Sequence, residues 1–167
     1  MKKQQNSPLN WLKNFPFKKI TDHKYSRGQL IIVGGQKEMV GATILIAESA
    51  LRTGVGSVKI ICNKETLPIY SIKFPSLLKK EINKFEEFKK FVLKNKECTF
   101  LIGPGAGSNK TTKQKVVFLL KNIKNVILDA DALTSFKKDL NKFYKLLDKN
   151  KIITPHIREF KSIFPNL

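Results

Sequence analysis

The sequence predicts an α/β domain built on a parallel sheet that is covered by helices on both faces. Three observations carry this prediction. Short apolar runs recur along the chain and end in glycine, aspartate or proline. Stretches of helical period separate them, the alternation expected of a parallel sheet. The glycine-rich and polar clusters then gather at the carboxyl ends of the runs: Gly34-Gly35, Gly103–Gly107, Asp129–Asp131 and Thr154–His156. In open parallel sheets that edge binds ligands.

Residues 28–61 organise the rest. Gln29–Val33 is a short apolar run ending at Gly34-Gly35 and reads as a buried strand. Gly41 opens Ala42–Arg52, whose only charge before Arg52 is Glu48, so a helix covered on most sides is expected. Gly54 and Gly56 turn the chain into Ser57–Cys62, a second strand. Glycine at such turns lets a ligand approach backbone N–H groups closely.

Before this unit, residues 1–20 read as a basic N-terminal tail with a short helix near 9–14 and with Trp11, Phe15 and Phe17 as anchors; residues 21–28 are a polar approach. After it, Lys64–Tyr70 reads as a short helix limited by Pro68. Residues 84–94 read as an amphipathic helix anchored by Phe85, Phe88, Phe91 and Val92. Cys98–Ile102 is the third strand and runs into Gly103-Pro104-Gly105-Ala106-Gly107. Ser108 or Asn109 can cap the helix Thr111–Asn122. Val126–Leu128 is the fourth strand, Ser135–Asp148 a further amphipathic helix, Lys151–Ile153 the fifth strand, and a helix begins at Arg158-Glu159-Phe160.

The 167 residues fit one domain with its own core. No stretch approaches the ~20 apolar residues of a membrane span, and the N-terminus has no apolar secretory core. A cytoplasmic location is expected, with Cys62 and Cys98 as buried thiols. The net charge of +19 points toward polyanions, yet only Arg27, Arg52 and Arg158 are arginines. The lysines are spread in blocks of at most two, with no interleaved aromatics. The charge therefore reads as a solvated lysine surface, without specific nucleic-acid recognition.

Several chemistries fail on spacing. GGQKEMVGAT is not a Walker A loop, and GVGSVK and GPGAGS lack the third glycine of a dinucleotide fingerprint. No GxSxG or HExxH is present, and no zinc spacing. Asp129 and Asp131 suit either a helix N-cap or contact with a metal or hydroxyls. His156, stiffened by Pro155 at a strand's carboxyl end, is a better ligand candidate than His23, which reads as a solvated loop residue. Glu159 reads as a first-turn helix charge.

Taken in order, the clusters resemble one family. The pieces are His23-Lys24 with Gly28, Val33-Gly34-Gly35 with Gly41-Ala42, and Ala50-Leu51-Arg52-Thr53-Gly54-Val55-Gly56. Ile102–Gly107, Leu128-Asp129-Ala130-Asp131-Ala132-Leu133, and Thr154-Pro155-His156 with Glu159-Phe160 complete the set. The sequence, over roughly residues 10–164, resembles the ADP/ATP-dependent NAD(P)H-hydrate dehydratases, the ribokinase-like or YjeF C-terminal domain.

The resemblance implies a three-layer ribokinase-like fold, incomplete at its C-terminal end, with residues 21–167 as its N-terminal part. It implies a hydro-lyase of metabolite repair that phosphorylates the hydroxyl of hydrated NADH or NADPH with ADP or ATP and Mg²⁺ and then eliminates phosphate. Ala42, Gly105, Asp131 and His156 would bind the hydrated dinucleotide. The family's Lys-Gly segment and its Gly-Thr-Gly-Asp stretch, which hold the nucleotide and supply the acidic residue that acts as base, have no match in this sequence. An unpaired sheet edge with exposed apolar surface is therefore expected. No metal ligands and no catalytic residue are assigned, and the polypeptide alone is expected to be inactive. It reads as part of a split enzyme completed by a separate chain, as a decayed gene product, or as a non-catalytic nucleotide-binding module; a homo-oligomer is the other partner expectation.

Overall fold

A computed structural model describes residues 5–165, so the first four residues of the expected basic tail lie outside the described part. Six strands form one sheet: β1 (Gln29–Val33), β2 (Ser57–Cys62), β3 (Leu78–Glu81), β4 (Thr99–Ile102), β5 (Val126–Leu128) and β6 (Lys151–Ile153). All pairs are parallel, in the order β3-β2-β1-β4-β5-β6. Among the described residues eight α-helices accompany them: α1 (Pro8–Trp11), α2 (Val40–Arg52), α3 (Leu67–Lys73), α4 (Phe85–Lys94), α5 (Lys110–Asn122), α6 (Asp131–Thr134), α7 (Leu140–Tyr144) and α8 (Ile157–Ile163). The five strands expected from apolar runs are present, the third beginning at Thr99 rather than Cys98.

Alternation along β1 sends residues to opposite faces. Ile31 and Val33 join a core under α4–α8 that includes Phe88, Phe100, Leu119, Leu128 and Phe143. Leu30 and Ile32 join a second core under α2 and α3 with Ala47, Ala50, Ile60 and Tyr70. Both cysteines are free and buried, and burial pushes the Cys62 thiol up to about 11. Among the described residues no helix is long and apolar enough to cross a membrane.

Four features differ from the sequence reading. β3 was missed because Leu78-Lys79-Lys80-Glu81 is not an apolar run; it is an edge strand paired only with β2, where charge keeps other strands away. The expected helix 135–148 is replaced by turns and the short α7. Phe136 and Phe143 are both fully buried with ring centroids 4.8 Å apart. Seven residues along a helix would separate them by roughly 10 Å, so the chain must turn back between them. Trp11, Phe15 and Phe17 do not anchor the tail in the core: they are exposed and pack on one another, Phe15 edge-on to Phe17 at 4.9 Å.

The fourth difference concerns coverage. Leu45 and Leu51 of α2 are exposed, so this helix is covered on one side only. Beside it Leu101, Ile127 and Ile152 stand in register across β4, β5 and β6; Leu101 and Ile127 are half-buried and Ile152 is 56% exposed. The expected apolar exposure is therefore present, and it lies next to the β6 rim.

The approach to β1 is clamped by Arg27. Its guanidinium donates to Gly54 O and Pro16 O and pairs with Asp22 at 3.1 Å. The Lys19 N–H, assisted by Arg27, holds the Asp22 carboxyl below its ordinary value.

Two predictions follow from this packing. Phe100→Ala should cost about 3–5 kcal/mol in denaturant titration, whereas Ile152→Lys should change stability by less than about 0.5 kcal/mol while lowering light scattering at high concentration. The Asp22 contact stabilises above the ordinary carboxylate pKa, and its contribution is lost as pH falls through the lowered value. Asp22→Asn should therefore lower the thermal midpoint at neutral pH, and the difference should close in acid.

Candidate functional site

The strand order reverses between β1 and β4. Helix α2, following β1, packs on one face, and α5, following β4, packs on the other. Such a reversal leaves a crevice beyond the carboxyl ends of the two strands. Here the two loops at that crevice are tied together: Gln36 N donates to Gly105 O at 2.7 Å, and the Gln36 side-chain amide reaches Ala106 O. Gly35 N–H is held from the other side by the buried Thr43 hydroxyl of α2 at 3.0 Å. A Cβ on Gly34 would stand 2.8 Å from Ile61 O and 3.2 Å from the Tyr70 hydroxyl, so only glycine fits between β2 and α3.

The β4 loop is tied onward to β5. Gly107 N donates to the Asp131 carboxylate at 2.8 Å. Gly103 has φ +137°, and a Cβ there would lie 1.7 Å from Asp129 O. Between the aspartates Ala130 takes φ 46°, ψ −116°, a region a residue with a Cβ rarely adopts. The Asp-Ala-Asp turn is thus held in a strained shape by contacts on both sides. Thr154 N donates to Leu128 O at 3.1 Å, which fixes the β6 end beside β5.

The four candidate residues take distinct places on this edge. Gly105 is buried in the β1–β4 tie, with Met39 of the β1 loop against it. Ala42, half-buried, is in the first turn of α2, three residues beyond Met39. Asp131 begins α6 and is bound to Gly107. His156 follows β6: its Nδ1 accepts from Arg158 N at 3.1 Å and Glu159 N at 3.5 Å, and Glu159 returns the contact by accepting from His156 N. With Nδ1 accepting, the proton of a neutral ring is on Nε2, which stands 3.3 Å from Glu159. Gly105 and Asp131 are joined through hydrogen-bonded loops, and His156 is a helix cap one strand further on. His23 is likewise a backbone cap, accepting from Tyr25 N and Ser26 N.

A hollow of about 200 Å³ opens at the same edge, lined by Gly34–Gln36, Asn63, Ala106, Asn109, Thr111, Thr112 and Lys115 among others. None of the four candidates lines it. Sequence reading passed over Thr43, Gln36 and Lys115. Thr43 was legible as the lone polar residue in an apolar turn, whereas Lys115 is one of many lysines and carried no signal. Among the described residues no group of three His, Cys, Asp or Glu side chains stands close enough to hold a metal ion.

Comparison with known proteins shows the family of the chain. The profile of the NAD(P)H-hydrate dehydratase family matches residues 30–167. The chain belongs to that family. It is 33% identical over 151 residues to the bifunctional NAD(P)H-hydrate repair enzyme Nnr of Dictyoglomus turgidum, covering 84% of this chain and 29% of that protein. It is 28% identical over 153 residues to the ADP-dependent (S)-NAD(P)H-hydrate dehydratase of Staphylococcus aureus, covering 90% and 54%. Among solved structures, the ADP/ATP-dependent NAD(P)H-hydrate dehydratase of Bacillus subtilis, co-crystallised with ATP and Mg²⁺, superposes with a TM-score of 0.71 at 26% identity, over 90% of this chain and 52% of that one. A ribokinase-like protein of Enterococcus faecalis shares the fold with a TM-score of 0.72. The chain thus spans about half or less of the length of these relatives. The fold is the ribokinase-like α/β fold of this dehydratase family.

Two variants test the strained turn. Ala130→Gly should raise stability by about 1 kcal/mol by relieving the left-handed backbone. Gly103→Ala should lower it by several times that amount, both read as shifts of the denaturant midpoint. An unchanged midpoint for both would show that the turn is unstrained.

Proposed function

We propose that residues 21–167 form the dinucleotide-holding part of an NAD(P)H-hydrate dehydratase, which restores NADH or NADPH from its hydrated form at the expense of ADP or ATP. The observation that carries this reading is the tied edge itself. Gly105 packs against Met39, three residues before Ala42, and its loop is bonded through Gly107 to Asp131, all within the span that matches the family.

In this reading Ala42 and Gly105 offer a surface without bulk, on which a flat ring system can approach the backbone. Asp131 is held through Oδ2 by Gly107 N–H, and its Oδ1 is assigned to the hydroxyl of the hydrated nicotinamide ring. His156, fixed by its cap, is assigned to the same ligand. A bound nucleotide with magnesium would supply the phosphoryl group that makes the hydroxyl a leaving group. The residues here position the dinucleotide, and positioning accounts for much of the barrier lowering in phosphoryl transfer. The row of Leu101, Ile127 and Ile152 is assigned to the polypeptide that would bring the nucleotide, in keeping with the greater length of the relatives.

Calorimetric titration of residues 1–167 with NADH and with NADH hydrate tests this. Both should bind, and Ala42→Leu should weaken both about tenfold or more. Asp131→Asn should weaken the hydrate about tenfold, the worth of one hydrogen bond to a charged group, and leave NADH unaffected. The same polypeptide should produce no NADH from the hydrate when ADP and Mg²⁺ are added. Absence of heat and of thermal shift with both ligands would remove the assignment, and turnover by residues 1–167 alone would overturn the division of labour.

A further inference from the structure

The hollow at the switch point lies outside the four residues just assigned. Its floor is Val33, Ile61, Ile82 and Ile102, all members of the core beneath α4 and α5. Ala42, by contrast, stands on α2, which packs on the other face. The strap Gly34–Gln36 separates the two sides, and it forms one wall of the hollow. The opposite wall is one face of α5, where Thr111, Thr112 and Lys115 meet at spacings of three and four residues.

The polar lining has one sign. No aspartate or glutamate borders the hollow, and Lys115 is its only charged group. Lys115 pairs with no carboxylate among the described residues. Its Nζ stands 5.6 Å from the centroid of Phe88, and burial lowers its pKa. An ammonium held in a partly desolvated wall without a counter-ion is costly.

The neutral groups add donors. Asn63 Oδ1 accepts from Thr66 N at 2.9 Å, and Asn109 Oδ1 accepts from Thr112 N at 2.9 Å. Each side chain therefore has its NH₂ group left to donate. Thr112 spends its hydroxyl proton on Ala106 O. At about 200 Å³ the hollow is smaller than sites that enclose a whole small molecule, roughly 300–1,000 Å³. It suits one compact anionic group.

We infer that this hollow is a phosphate subsite, in which Lys115 Nζ supplies the charge and the Asn63 and Asn109 amides supply neutral hydrogen bonds. The ligand is a phosphate group, carried on a nucleotide or dinucleotide or free as inorganic phosphate. The subsite rests on its own geometry; only its use by the hydrated dinucleotide rests on the reading of the four residues above.

The test titrates residues 1–167 with inorganic phosphate, ADP, NADH and, as the phosphate-free control, adenosine, following amide NMR shifts and calorimetric heat. The expected result is that the phosphate-bearing probes shift the amides of Gln36, Asn63 and Thr111. Lys115→Met should weaken those probes about tenfold or more, Lys115→Arg should retain most binding, and adenosine should respond equally to all variants. Response to ADP and NADH with none to free phosphate marks a nucleotide phosphate, and the converse marks free phosphate; both support the subsite. Equal binding by Lys115→Met, or amide shifts confined to other parts of the protein, overturns it. So does the absence of any response to all three phosphate-bearing probes. Because amide shifts are read on the unmodified chain, the result stands even where a variant fails to fold. Loss in Asp131→Asn without loss in Lys115→Met would keep the dinucleotide reading and remove this subsite. Loss of phosphate in Lys115→Met with no response to the hydrate would do the reverse.

Discussion

The reversal of strand order between β1 and β4 is the constraint on which the rest of this edge depends. The elements following these neighbouring strands leave toward opposite faces of the sheet, so no helix closes the gap between them. Backbone must close it instead, and Gln36 N–H to Gly105 O is the bond that does so. Side chains would keep the straps apart, which is why Gly35 and Gly105 stand where a Cβ would meet the opposite strap, 3.0 Å from Gly105 O and 2.9 Å from Met39 O. The same closeness makes the edge stiff. Thr43 holds the first strap from behind, and Asp131 holds the second from the side. A binding edge made this way is formed before any ligand arrives, and little ordering entropy is left to oppose association.

The legible parts of the chain were those where burial leaves no choice of residue. β1, β2 and β4 are covered on both faces or nearly so, and they appear as uninterrupted apolar runs. β3 pairs on one side only, and its exposed lysines and glutamate gave no strand signal. The stretch after β5 read as a helix because Leu140, Phe143 and Leu147 have helical spacing; burying Phe136 against Phe143 overrides that local preference. Propensity over a few residues is a weak force beside two buried aromatic rings. At the site, glycine and aspartate clusters were legible because close backbone approach demands them. Gln36 and Lys115 were not, since an amide or an ammonium acquires its meaning from the wall opposite, and that wall is distant in sequence.

The basic surface acts at long range on any phosphate-bearing molecule. With 32 basic against 13 acidic residues, the molecule surrounds itself with a positive potential. Phosphate-bearing small molecules are drawn toward such a surface more often than neutral ones, an effect that salt weakens. Acidic partners are few and are spent locally: Asp22 on Arg27, Asp139 on Lys113, Asp148 on Lys151. The uncompensated lysines are therefore available to the long-range field.

The two rims of the sheet are chemically unequal. At β3 the outward strand carries Lys79, Lys80 and Glu81 beyond an exposed Leu78. At β6 the margin is the exposed Ile152, continued inward by the half-buried Ile127 and Leu101. Growth of the sheet by a further strand is thus polarised: one side repels newcomers, and the other offers them both backbone partners and an apolar margin. A strand added to this sheet would meet less charge on the β6 side than on the β3 side.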